Sequence, residues 1–205
     1  MHEAPTGNSR HRSRRPDGMY TARPPWDIGA PQPAFAALAQ AGAMRGRVLD
    51  IGCGTGEHTL LAAAHGLDAT GIDLADGALR IAERKAEERS LTARFLRLDA
   101  LRVADLGELF DTALDSLVLH AFTPADRAAY LDGLRSVLRP GGRLLLLCYS
   151  NLHTAEPDVP HKLSRDDLES TFADGWALDS VQATVSASNV HADGVAAWLV
   201  VCTRL

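Results

Sequence analysis

From residue 47 onward, short apolar runs alternate with longer stretches whose apolar positions recur every three or four residues, the periods of strand and helix. Val48-Leu49-Asp50-Ile51 reads as a strand, residues 57–65 as a helix, 69–72 as a second strand and 75–89 as a charged amphipathic helix. Residues 94–98 give a third strand, 112–119 a fourth, 125–138 a helix and 143–149 a fifth, almost wholly apolar strand. Such alternation builds a parallel sheet covered by helices. Pro140, Gly141 and Gly142 are expected to stop the preceding helix and turn the chain into the fifth strand. After a polar loop, Ser164 and Asp167 have capping-box spacing and open a helix that runs to Phe172. Residues 176–187 and 195–203 read as two further strands joined by Asn189, Asp193 and Gly194, an antiparallel pair closing the sheet.

Upstream the pattern changes. Residues 1–18 are polar and basic and are expected to form a disordered leader. Pro24, Pro25, Pro31 and Pro33 punctuate an irregular aromatic segment, and residues 32–41 follow a helical pattern ended by Gly42. The expected organisation is therefore a leader over 1–18, a lid and helix over 19–45, and a main α/β domain over 46–205. No internal repeat is visible.

Composition narrows the function classes. A chain of 205 residues with 46% hydrophobic content holds one domain with a sizeable core. A net charge of -5 is a poor match for a surface that neutralises phosphates, so nucleic acid is not the expected partner. Cys53, Cys148 and Cys202 are odd in number, fit no zinc spacing and suggest free thiols in a reducing compartment. The most apolar stretch, 144–148, is far too short to cross a bilayer. Arg10, Arg12, Arg14 and Arg15 lie in a leader without the apolar core of a secretory signal. A cytoplasmic location is expected.

The strongest chemical signal is Val48-Leu49-Asp50-Ile51-Gly52-Cys53-Gly54-Thr55-Gly56, a buried strand that runs through glycines into a helix. Glycines there admit a tight turn and close approach of a ligand to backbone, and the helix start presents unpaired N–H groups. The dinucleotide fingerprint Gly-x-Gly-x-x-Gly does not fit, because Gly56 comes one residue early and Glu57 takes the glycine position. Asp50, at the strand end, can accept hydrogen bonds from an amino group and suits a cationic ligand better than a pyrophosphate.

This string resembles motif I of class I S-adenosylmethionine-dependent methyltransferases, whose glycine loop holds the amino-acid end of the cofactor. The resemblance implies a three-layer Rossmann-like fold with a seven-stranded, mostly parallel sheet of order 3-2-1-4-5-7-6 and one antiparallel strand. It makes 46–205 the catalytic domain, and Asp50, Gly52, Cys53, Gly54 and Gly56 cofactor residues. Asp73, with Leu74 beside it, follows the second strand where an acid can accept both ribose hydroxyls. Asp99-Ala100 fits the adenine contact, with Asp105 and Asp111 as rivals and a helix-cap role as the structural alternative for Asp99. Asp115 and Ser116 end the fourth strand on the ligand side.

His120 follows them and is the candidate catalytic or substrate-orienting group, able at its ordinary pKa to take a proton from a thiol, phenol or ring nitrogen; a structural histidine is the alternative. Pro24-Pro25-Trp26-Asp27-Ile28-Gly29-Ala30-Pro31-Gln32-Pro33 is similar to the segment before motif I in bacterial heterocyclic-toxin and thiol methyltransferases, and residues 115–120 resemble the same group. The resemblance implies a longer aromatic helix upstream of Tyr20, where this sequence has little between the basic leader and Tyr20. Trp26 is expected to wall both cofactor and substrate, or else to anchor the flap by packing. Tyr20, Tyr149, His153 and His161 are the other expected substrate contacts, while His58, His65 and His191 read as surface or packing residues. No metal is expected, since Ser150-Asn151 offers no acidic pair after the fifth strand.

The resemblance implies methyl transfer from S-adenosylmethionine, leaving S-adenosylhomocysteine, to a sulfur, nitrogen or oxygen of a small, heteroaromatic or thiol molecule. Detoxification or secondary metabolism would suit such a monomer or homodimer. A nucleic-acid or protein methyltransferase, or a cofactor-binding protein without catalysis, are the alternatives.

Overall fold

A computed structural model describes Gly18 and residues 22–155, 158–159 and 161–205. The expectations for the leader and for Tyr20 therefore fall outside the described residues. Elements follow in the order α1 (Pro33–Gln40), β1 (Arg47–Ile51), α2 (Glu57–Ala64), β2 (Asp68–Asp73), α3 (Asp76–Glu88), β3 (Arg94–Arg97) and β4 (Phe110–Ser116). Then come α4 (Pro124–Val137), β5 (Leu138–Tyr149), α5 (Arg165–Thr171), β6 (Trp176–Ser186) and β7 (Val195–Arg204). Strand order is β3-β2-β1-β4-β5-β7-β6, with β7 antiparallel to both of its neighbours, as the sequence implied.

The central strands are buried on both faces, which is why they read as continuous apolar runs. Along β5, Leu144 and Leu146 join one core with Leu49, Ile51, Tyr130 and Phe172, while Leu145 and Leu147 join another with Phe35, Val48 and Ala62. Helix α1 thus packs into the core of the sheet: Phe35 is completely buried, a contribution of about 2–3 kcal/mol. Pro33 opens this helix, where its missing N–H costs nothing. The predicted capping box of α5 is present, Ser164 accepting from the Asp167 N–H and Asp167 from the Ser164 N–H.

Two strand boundaries differ from the sequence reading by three residues or more, and both differences have local causes. The fourth strand ends at Ser116, three residues early, because Leu117 adopts φ +68 and the chain turns into a 3-10 segment at Leu119–Ala121. The fifth strand begins directly after α4 at Leu138, which pairs with Phe110, and Pro140-Gly141-Gly142 forms an irregularity inside the ladder instead of preceding it. The parallel strands end along one edge at Ile51, Asp73, Arg97, Ser116 and Tyr149, where open parallel sheets place their ligands.

Candidate active site

The glycine loop is shaped by contacts that leave no room for side chains. Gly52 has φ +63, and a Cβ there would lie 2.4 Å from Val118 Cγ2, so this position lets the segment after β4 pack directly onto the loop. Gly54 donates its N–H to Asp73 Oδ2 at 2.8 Å, while Asp73 Oδ1 accepts from the Ala75 N–H at 2.8 Å. Backbone donors thus fix the Asp73 carboxylate at the end of β2. Gly56 serves packing: its Cβ would lie 2.7 Å from that of Ala82, so it brings α2 against α3.

A cavity of about 570 Å³ lies along this edge, within the range of small-molecule sites. One end is walled by Gly52, Asp73, Leu74, Leu98, Asp99 and Ala100. The other is walled by Trp26, Leu117, His120, Tyr149, His161 and His191. Asp99 combines both of its sequence readings, because it lines the cavity while Oδ1 caps the Leu101 N–H at 3.0 Å. A smaller polar pocket of about 60 Å³ adjoins it, sharing Trp26, Gly52 and Ser116 and adding Asp27, Gln32, Cys53, Gly54, Thr55 and His58. The Cys53 thiol there is pushed well above its usual pKa by burial, which makes it unreactive.

Two expected cofactor carboxylates lie off both walls. Asp50 is 1% exposed and turns toward α2, its Oδ2 accepting from Thr59 N at 2.9 Å and Thr59 Oγ1 at 2.6 Å. Burial pushes it up to about 7, and its other oxygen has no partner among the described residues. It tethers β1 to α2. Asp115 is fully buried and accepts from the N–H groups of Val118 and Leu119 and from the Tyr130 hydroxyl at 2.8 Å, with burial pushing it up to about 6. It braces the turn that carries His120.

His120 is 5% exposed, and its Nδ1 accepts from the Tyr149 N–H at 3.0 Å. Its ring tilts against Tyr149 at 4.7 Å. Burial, assisted by the nearby His161 and Arg127, pulls the imidazole down to about 3. The ring is therefore neutral at physiological pH, and with Nδ1 occupied as an acceptor the proton resides on Nε2. This corrects the general-base expectation, since the nitrogen left for a ligand is a donor. His153 is held the same way, Nδ1 accepting from the Ala196 N–H at 3.2 Å, but it lies off the wall and anchors the loop after β5 to β7. Tyr149 and His161, two of the expected substrate contacts, line the wall.

Several wall and support residues were missed. His191, read as a surface or packing residue, lines the main cavity, and His58 lines the polar pocket. Gln32 is 2% exposed and pairs with both backbone groups of Ala187, accepting from N at 2.8 Å and donating to O at 3.1 Å. Asn189 donates its side-chain amide to the carbonyls of Pro24 and Asp27, and its own N–H to Pro25 O at 2.8 Å. The lid is thus clasped by the β6–β7 hairpin. A buried glutamine between prolines was the available signal, but its partner Ala187 lies 155 residues away.

Residues 48–142 match a family model described as a methyltransferase domain. The chain is 31% identical over 189 residues to a 2-heptyl-1-hydroxyquinolin-4(1H)-one methyltransferase of Mycobacteroides abscessus, covering 91% of this chain and 81% of the relative. It is 30% identical over 147 residues to probable thiol methyltransferase 2 of Arabidopsis thaliana, covering 71% of this chain and 65% of that protein. A solved structure described under the conversion of a disulfide bond into a thioacetal group during echinomycin biosynthesis is similar with a TM-score of 0.83 and 38% identity, covering 93% and 89% of the two chains.

Proposed function

We propose that this chain, which belongs to the class I S-adenosylmethionine-dependent methyltransferases, methylates a planar, largely apolar heteroaromatic acceptor whose reacting oxygen, sulfur or nitrogen arrives with its lone pair already exposed. The enzyme transfers a methyl group from S-adenosylmethionine to a small molecule. Its residues fit that cofactor: Gly52 lines the cavity at the end of β1, and carboxylates stand at the end of the neighbouring strand β2, at Asp73, and just past the next strand, β3, at Asp99. In this reading Asp73 accepts the ribose hydroxyls, Asp99 and the Ala100 N–H take the adenine, and Leu74 and Leu98 pack its faces. When bound, the cofactor supplies an electrophilic methyl on a sulfonium.

Everything else is alignment. Trp26, Leu117 and Val118 wall out water, and His120 offers Nε2–H to an acceptor atom of the substrate. Orientation of this kind supplies much of the acceleration for an in-line displacement, without a proton acceptor at His120. The single observation that carries the acceptor reading is the Tyr149 N–H bond to His120 Nδ1, which turns the histidine into a donor. A bicyclic hydroxyquinolone is the first acceptor to try, given the activity for which the Mycobacteroides relative is named. The division into a lid over 19–45 and a catalytic domain over 46–205 is part of the same proposal.

A cytoplasmic monomer or homodimer is part of the same proposal, supported by three buried free thiols. Among the described residues no helix is long and apolar enough to cross a membrane. The net charge of -5 leaves a nucleic-acid acceptor unfavoured. The test is a mass-spectrometric screen of hydroxyquinolones, phenols and thiophenols followed across pH. Turnover should follow the acceptor's own ionisation, shifting when a more acidic acceptor is used; a profile set by the protein whatever the acceptor sinks the reading.

A further inference from the structure

The acid expected to receive the cofactor's amino group, Asp50, is turned away into α2. The polar pocket beside Gly52 offers other groups. Asp27, on the lid, lines it with a side chain only 13% exposed. Its Oδ2 accepts from Thr55 Oγ1 at 3.0 Å, and that hydroxyl accepts from Lys85 Nζ at 2.8 Å, so an ammonium polarises the hydroxyl toward the carboxylate. Its Oδ1 accepts from the Gly29 N–H at 3.1 Å and lies 3.8 Å from the Arg23 guanidinium. The other carboxylate on this wall, Glu57, is already bonded to Lys85 at 2.8 Å and to Arg89 at 2.9 Å.

His58 faces the same pocket from α2. Its Nε2 accepts from the Gln32 N–H at 3.1 Å, so the neutral ring carries its proton on Nδ1. Burial pulls this imidazole down to about 4, which keeps it neutral. The pocket thus combines an anionic acceptor with a neutral N–H donor, one from the lid and one from the sheet side. At about 60 Å³ it suits a small zwitterionic head group and excludes a ring.

We propose that Asp27 and His58 form a two-sided clamp on the amino-acid end of S-adenosylmethionine, Asp27 accepting from its ammonium and the His58 Nδ1–H donating to its carboxylate. The clamp rests on the methyltransferase reading above and extends it. Because Asp27 belongs to the lid, the cofactor's ammonium ties the lid to the glycine loop, and occupancy of the cofactor site closes the cavity's mouth.

Calorimetric titration with two nucleosides tests this without turnover. S-Adenosylhomocysteine carries the amino-acid end, whereas 5′-methylthioadenosine keeps the adenosine and sulfur but lacks it. Wild-type protein should bind the first on the order of a hundredfold more tightly. Asp27→Asn and His58→Gln should each weaken S-adenosylhomocysteine about tenfold to a hundredfold while leaving 5′-methylthioadenosine within about twofold. The two variants lie on separate segments, so a lid disturbed in one leaves the other informative. Equal losses for both ligands, or no loss for either, overturn the clamp. If wild-type protein binds neither nucleoside, the cofactor site itself is refuted; if it binds both equally, only the clamp is.

Discussion

At the Asp73 end of the cavity, main-chain donors set the wall: Gly54 and Ala75 hold Asp73, and Leu101 holds Asp99, each bond lying within or between adjacent strand–turn–helix steps. At the His120 end, walls come from the lid, the 3-10 turn after β4, the loop after β5 and the β6–β7 hairpin, stitched by side chains such as Gln32 and Asn189 that reach 155 and 165 residues along the chain. The first end forms as the parallel sheet forms. The second is an assembly of loops, and such segments open locally at lower free energy than core strands. On the proposed reading, cofactor binding and acceptor choice therefore depend on separable parts of the molecule.

The largest effect that would break this comparison is at Gly52. Gly52→Val places a Cβ 2.4 Å from Val118 Cγ2 at a φ of +63, so we expect S-adenosylhomocysteine binding to vanish by calorimetry, and a retained affinity would remove the loop from the cofactor wall. Asp73→Ala comes next. Loss of two charge-assisted bonds should weaken the same ligand on the order of a hundredfold, with acceptor preference unaltered. At the other end, His120→Ala should lower kcat/KM about tenfold to a hundredfold while sparing cofactor affinity. His120→Gln, which keeps a donor at the position of Nε2, should recover part of that loss; equal defects in the two variants would contradict a donor role.

A smaller effect is expected for Gln32→Ala, which strands the Ala187 N–H and C=O. Acceptor KM should rise several-fold and limited proteolysis should attack the lid sooner, whereas unchanged cleavage would show that the hairpin does not hold it. The smallest concerns pH. Asp50 has a folded pKa of about 7 against an ordinary 3.8, so between those values the folded state binds the extra proton and stability from this group falls as pH rises. The melting temperature of wild type relative to Asp50→Asn should therefore decline from pH 5 to pH 8. His58 and His120 act in the opposite sense, because their folded pKa values of about 4 and about 3 lie below 6.5 and the unfolded chain takes the proton first on acidification.

The same division governs what could be read from sequence. The glycine loop and Asp73 were legible because turn, spacing and carboxylate belong to consecutive elements. The loop did not reveal which way Asp50 turns, since Thr59 on α2 competes for it through both its N–H and its hydroxyl. Gly56 and Gly52 look alike in the string, yet one approaches Ala82 and the other Val118. The end of β4 was misplaced because apolar residues continue to Leu119 and nothing in Leu117 signals a left-handed backbone. His120 was visible as a residue but not as a tautomer, which a backbone N–H on the next strand decides. His191 and the Gln32 clasp were hidden by sequence distance alone.

The left-handed leucine has a further consequence. Leu117 borders the cavity and packs against Tyr149, Val159 and Val195 while holding a conformation that costs a branched residue roughly 1–2 kcal/mol. Glycine would relax that backbone but would also empty a patch of apolar lining. Drift toward glycine at 117 should thus admit bulkier compounds, while the strain it relieves is offset by the apolar packing it removes, so that acceptor size and local firmness are set together at one position.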